Sequence, residues 1–232
     1  MTKLEHERQS EAFNQVWVKR HQEPIVTGNW VDNDWARGRT QYLTFLVRVT
    51  DRQIVKAVKE AQSALTGFPC VDPFPVNYFH VTVKETGCFL VEDKKSSDEY
   101  TRDELPDLIR AARETLGDYK PFNVRLENLN NFKSVICIQG HDGGVIRDIN
   151  RAMLEIPGMT KLRNDFPQFL PHLSIAQYKG TEGYRQLIEH LEKHRETLIG
   201  TLRVGSVELV IAELPKRGRY PKLKPVEDFR LC

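Results

Sequence analysis

The chain has 232 residues, 40% hydrophobic and 28% charged, with a net charge of +2. Such a composition suits a globular protein with enough chain for one large domain or two small lobes, and the charge is too small for a protein that coats nucleic acid. No apolar run approaches the roughly 18 residues of a membrane span, the charged start is no signal peptide, and the four cysteines form no CxxC pair, which argues against a zinc ribbon or dense disulfide framework. A cytoplasmic protein with no membrane contact is expected.

Residues 1–40 hold all three tryptophans, Trp17, Trp30 and Trp35, and read as an irregular or partly helical extension lying on the body. Regular patterning begins at 42–49 with a nearly continuous apolar strand. Thr50 and Gln53 then read as a capping box, with Ile54, Val58, Ala61 and Leu65 at helical spacing before Gly67. A proline-rich loop leads to a strand at Phe79-His80-Val81-Thr82-Val83, and residues 92–99 form a polar loop. A helix follows from 103 to 116, with Pro106 tolerated in its first turn. Strands are expected at 121–127 and 134–139 with the Asn128–Asn131 run turning between them, and a helix from Asp142. Next come a strand at Pro171-His172-Leu173-Ser174-Ile175, a helix over 182–199, and strands near 203–213 and 222–230.

These elements repeat. The histidines are separated by 172 − 80 = 92 residues, the first strands by 134 − 42 = 92 and the helix starts by 142 − 50 = 92. We therefore expect an α+β fold: an extension over 1–40, then a bilobal domain over 41–232 with repeat halves at about 41–128 and 134–232. Each lobe is an antiparallel sheet backed by two helices, and the two surround a central cleft.

Strand alternation sends Val81 and Val83 to one face and His80 and Thr82 to the other, and likewise separates Leu173 and Ile175 from His172 and Ser174. Residues two apart on a strand lie roughly 6.6 Å apart, close enough for an imidazole and a hydroxyl to address one phosphate. A structural role has no reason to demand the same histidine, hydroxyl and facing twice. Two imidazoles can share general acid and base work near neutrality, and two hydroxyls can donate to nonbridging phosphoryl oxygens. Those are the parts needed to split a phosphodiester, and no metal is required.

The motifs HVTV and HLSI, set in duplicated strand and helix halves over about 41–231, resemble the paired H-x-[ST] motifs of the 2H phosphoesterase superfamily, nearest to the RNA 2',3'-cyclic phosphodiesterase and 2'-5' RNA ligase group. The resemblance implies that His80 and His172 are catalytic, that Thr82 and Ser174 bind phosphate, and that neither metal nor cofactor takes part. It also implies hydrolysis of a 2',3'-cyclic phosphate, on a nucleotide or an RNA end, to a 2'-phosphate, with 2'-5' RNA ligation or cleavage as related chemistry. His172 is assigned as base and His80 as acid, although the pseudosymmetry equally allows the reverse. The expected partner is RNA or a nucleotide carrying a cyclic phosphate or a 2'-5' linkage, bound by a monomer. A noncatalytic RNA or nucleotide binding module is the alternative; a metallohydrolase lacks a clustered ligand set.

Further candidates are Lys84 and Tyr178, placed by alternation on the histidine face, and Arg217, Arg219 and Tyr220 with Lys216, Lys222 and Lys224 in the last hairpin, where basic and aromatic residues interleave. Arg37 and Arg39 with Trp30 and Trp35 offer a similar platform. His190 and His194 lie on the polar flank of a helix and His141 in a turn, and none of the three is given a role.

Overall fold

The computed structural model describes residues 3–26, 35–215 and 220–232. Its helices are α1 (Lys3–Trp17), α2 (Arg52–Ser63), α3 (Leu105–Gly117), α4 (Val145–Met153) and α5 (Tyr184–Lys193). Its strands are β1 (Gln41–Arg48), β2 (Val71–Pro73), β3 (His80–Leu90), β4 (Glu99–Tyr100), β5 (Phe122–Phe132), β6 (Val135–His141), β7 (His172–Tyr178), β8 (Leu198–Val204), β9 (Ser206–Glu213) and β10 (Lys222–Arg230). The fold is α+β. One sheet runs in the order β10-β9-β1-β3-β7-β6-β5-β8, with β2 beside β7 and β4 beside β3.

The histidine strands β3 and β7 sit at the middle of that order and divide it into two four-stranded antiparallel lobes. The repeat halves exchange strands: β9 and β10, from the second half, complete the sheet begun by β1 and β3, whereas β5, from the first half, pairs with β6 and β8. The helices follow suit. α3 and α4 back the first lobe, against β10 and β3, and α2 backs the second, against β7 and β8. α5 joins α2 there, with Tyr184 edge-on to Tyr178 at 5.6 Å. Their apolar stripes explain the packing: Ile54 and Val58 on α2, Leu108 and Ala112 on α3, Ile146 and Ile149 on α4, and Leu187 and Leu191 on α5 are all buried.

Several boundaries differ from the sequence reading, each for a local reason. Asp51, not Thr50, caps α2, its carboxylate accepting from the amides of Gln53 and Ile54. The Asn128–Asn131 run is not a turn but continues β5, because Asn128 takes up a positive φ of 59° at a bulge and its amide donates to Thr197 O. The last helix stops at Lys193, and residues 198–204 pair as β8 with β5, where ladder bonds override helical periodicity. The loop at 92–99 is not wholly solvated, since buried Glu99 binds the amides of Lys95 and Ser96 and the Arg39 guanidinium.

Both histidine strands carry a bulge one residue beyond the motif. Opposite β1, Thr82 pairs with Leu46 but Lys84 with Phe45, so Val83 is the extra residue; opposite β6, Ser174 pairs with Cys137 but Ala176 with Ile136, so Ile175 is. The two bulges are again 175 − 83 = 92 residues apart. The carbonyl of Val83 accepts from Asn150 Nδ2 of α4 at 2.9 Å, and that of Ile175 from Gln62 Nε2 of α2 at 2.6 Å and from the Phe74 amide at 2.9 Å. Both amide side chains are buried. Gln62→Leu should therefore strip a donor from a buried carbonyl and lower unfolding free energy by about 1–3 kcal/mol in a denaturant titration. Asn150→Leu should cost more, since Asn150 also donates to Asp165 Oδ1 and accepts from the Phe166 amide.

Candidate active site

β3 and β7 meet through one backbone pairing, Val81 with Leu173. Carried one residue either way, an antiparallel register sets His80 across from Ser174 and Thr82 across from His172, with opposed Cβ atoms about 4.5–5.5 Å apart. These four side chains are partly exposed, while Val81 and Leu173 between them are buried. The sheet thus gathers both motifs at one seam between the lobes.

The two imidazoles are held alike. His80 Nδ1 lies 2.6 Å from the Tyr78 carbonyl and His172 Nδ1 lies 2.8 Å from the Leu170 carbonyl, each two residues upstream. A carbonyl only accepts, so in a neutral ring Nδ1 carries the hydrogen and Nε2 the lone pair. Burial pushes His80 down to about 4, against the pull of the Tyr78 carbonyl and with help from the charges of His172 and Arg48. Burial also lowers His172, partly offset by its bond to Leu170. Near neutrality both rings are neutral.

Cross-strand neighbours complete the surroundings. Arg48 stands opposite His80 on β1, its guanidinium bonded to Glu208 at 2.9 and 3.0 Å, and Gln139 stands opposite His172 on β6. The Tyr78 ring meets His80 edge-on at 5.0 Å and Phe132 packs 4.5 Å from His172. Tyr220 lies 5.4 Å from Tyr78 and so extends the aromatic group beside His80 by one ring. On the other side α1 presents Phe13, 6.4 Å from Phe132, with its backbone carbonyl accepting from Asn130. Among these neighbours, sequence reasoning named Tyr220 alone. Arg48, as the last residue of an apolar strand, carried a faint signal; Gln139, Tyr78 and Phe132 carried none without the register.

Lys84 and Tyr178 are not at the cleft. The bulges at Val83 and Ile175 reverse the alternation beyond the motifs, so both residues turn to the helix-covered side and are fully buried. Lys84 Nζ binds Asp165 at 2.7 Å and the carbonyls of Glu85 and Thr160, and Tyr178 donates to Asn131 Oδ1 at 2.6 Å. Arg39 is likewise occupied, paired with Asp98 and Glu99 and lying 3.9 Å over the Phe89 ring, beside Trp35. Trp17 is buried in the core, and Lys224 pairs with Glu213. Trp30, Lys216, Arg217 and Arg219 lie outside the described residues.

A family model, the 2'-5' RNA ligase superfamily, matches residues 50–214. The chain belongs to that superfamily, a group of 2H phosphoesterases. Its fold is similar to that of TT0787 from Thermus thermophilus, with a TM-score of 0.59 at 20% identity over 82% of this chain and 97% of that one. It is also similar to E. coli LigT complexed with NADP+, TM-score 0.59 at 14% identity, and to LigT complexed with 3'-AMP, TM-score 0.56 at 13% identity, each over 83% of this chain and 98% of LigT. No curated protein matches the chain by sequence. No described helix is long and apolar enough to cross a membrane.

Two measurements bear on this geometry. Lys84→Ala leaves Asp165 buried without its cation and should lower stability by about 3–5 kcal/mol, read by denaturant unfolding; a site at the cleft rim would instead change binding and leave stability alone. The depressed histidine values also make stability depend on pH. Unfolded histidines take up protons near 6.5, whereas His80, and His141 beside Glu127, hold out until about 4. The unfolded state then binds more protons in between, so stability should fall as pH drops from about 6.5 to about 4, and His80→Gln should flatten that slope.

Proposed function

We propose that this chain is a metal-independent, cofactor-free phosphodiesterase that opens 2',3'-cyclic phosphates on nucleotides or RNA ends to leave 2'-phosphates, with His80 and His172 as its catalytic pair. The observation that carries this reading is the duplicated hold on the rings: each Nδ1 is tied to the carbonyl two residues upstream, and a hydroxyl follows two residues downstream on the same face. A structural histidine needs neither the matched tautomer nor the matched hydroxyl. The ribose phosphates bound by LigT, 3'-AMP and NADP+, support a nucleotide as the substrate class.

In this mechanism Nε2 of neutral His172 takes a proton from water as its oxygen attacks phosphorus. The bond from phosphorus to O3' breaks, and protonated His80 supplies the proton that O3' needs. Thr82 and Ser174 donate to the nonbridging oxygens as charge builds on them. Because both rings are neutral in the free protein, the proton for the acid must be gained on binding, where the substrate anion favours the imidazolium. A 5' hydroxyl in place of water would give a 2'-5' linkage by the same steps.

Turnover of nucleoside 2',3'-cyclic phosphates should fall by about 10²–10⁴-fold in His80→Ala and in His172→Ala, and by about 10–10³-fold in Thr82→Val and in Ser174→Ala. The wild-type product should carry phosphate only on the 2' position by phosphorus NMR. Wild-type rates in both histidine variants would overturn the assignment. The kcat/KM should also rise as pH falls from about 8 to about 5, since the lowered histidines acquire the required proton only in that direction.

A further inference from the structure

A second histidine cluster lies where α1 covers β5 and β6, outside the catalytic pair. His6 of α1, Glu127 of β5 and His141 of β6 each bring one ligand atom to within 4.8 Å of the others. Glu127 is oriented: Oε2 accepts from Arg125 Nε at 2.7 Å, which leaves Oε1, 4.0 Å from His141 Nε2, turned to the imidazoles. His141 is 2% exposed, and its Nε2 lies 3.1 Å from Gln139 Oε1. With that carbonyl accepting, Nε2 carries the hydrogen of the neutral ring, and Nδ1 holds a lone pair sealed from water with nothing to accept it from.

That atom is not alone. Among the described residues, the buried side-chain polar atoms without a partner are His6 Nδ1, Gln139 Nε2, His141 Nδ1 and Arg147 Nε, so two of the four are imidazole nitrogens of this cluster and a third sits on Gln139, which bonds His141. Buried polar atoms are normally satisfied, and two imidazole nitrogens left bare in a cluster that also holds a carboxylate call for a cation. The rings themselves are close, 4.9 Å between the centroids of His6 and His141.

We propose that His6, Glu127 and His141 form a structural site for a divalent ion of the zinc class, which fastens α1 to β5 and β6. Two imidazoles and one carboxylate favour zinc or a neighbouring transition ion over magnesium or calcium, which take oxygen donors. In a tetrahedral site with bonds of about 2.0–2.1 Å the donor atoms stand roughly 3.4 Å apart, so closure needs an inward movement of about an ångström, within the reach of side-chain rotation. Arg125 on the carboxylate and Gln139 on the imidazole already provide the outer contacts that orient metal ligands. The ion acts on the cleft indirectly: holding His6 holds Phe13, which packs on Phe132 and through it on His172. It is separate from the phosphodiester chemistry and is tested without it.

The experiment uses the full chain, stripped with chelator, desalted and titrated with zinc by calorimetry and by thermal melting. One ion per chain is expected, with the melting midpoint rising by about 5 °C at a hundredfold excess over Kd. Uptake should weaken by at least tenfold in His6→Ala and in Glu127→Gln, two variants that leave the core intact, and should persist in His190→Ala and His80→Ala. Absence of saturable uptake by the wild type overturns the proposal. So does uptake unchanged in His6→Ala and Glu127→Gln. Loss confined to His190→Ala would assign the ion to the His190 and His194 pair, and loss confined to His80→Ala to the catalytic pair; either result overturns it as well.

Discussion

The architecture depends on how β3 and β7 touch and then part. They share the pairing of Val81 with Leu173, and each strand then inserts an extra residue and bends away. Without the pairing the motifs would sit on separate sheets. Without the bulges the alternation would continue, and Lys84 and Tyr178 would share the cleft with the histidines. The freed carbonyls of Val83 and Ile175 are buried, and unmet they would work against the bend. Asn150 and Gln62 meet them from helices that belong, in sequence, to the opposite half. The seam, the bend and the helical layer are one device built twice.

This duplication explains what the sequence disclosed and what it concealed. The common spacing of 92 residues marked His80, Thr82, His172 and Ser174, because period-two alternation is reliable over three residues and a repeat discriminates against chance. It failed by the fifth. Nothing in VTVKET or LSIAQY announces an inserted residue, since a bulge is defined by what the neighbouring strand does. The same limit hid Arg48 and Gln139, which face the histidines only through the register with β1 and β6. The boundary error near 198 shares that origin, since Leu198 pairs with Glu127 of β5, far away in sequence, whereas 128–131 is settled by β6, which follows directly in a hairpin.

The N-terminal extension changes character in the structure. His6, Gln9, Phe13 and Trp17 fall at spacings of three and four and so share one helical face, which covers the open side of the second lobe. Gln9 bonds Asp142, the residue whose carboxylate also receives the amides of Gly144 and Ile146 at the start of α4. One side chain thus joins the extension to the helix that braces the Val83 bulge. Phe13 reaches His172 through Phe132. The extension expected to lie on the body does so as a helix, packed over β5 and β6.

The exchange of strands between lobes also fixes the order in which the molecule can be completed. β1 leaves the ribosome early yet has its outer edge covered only by β9, from near the other end of the chain, and β5 waits for both β6 and β8. During synthesis the first lobe therefore carries an open, apolar strand edge for most of the chain's length, a state that favours pairing with another molecule. A half-chain released by itself would keep that edge, and the partner able to satisfy it is a second half of the same design. Two such halves, exchanging strands about a twofold axis, would reproduce the arrangement that this single chain holds.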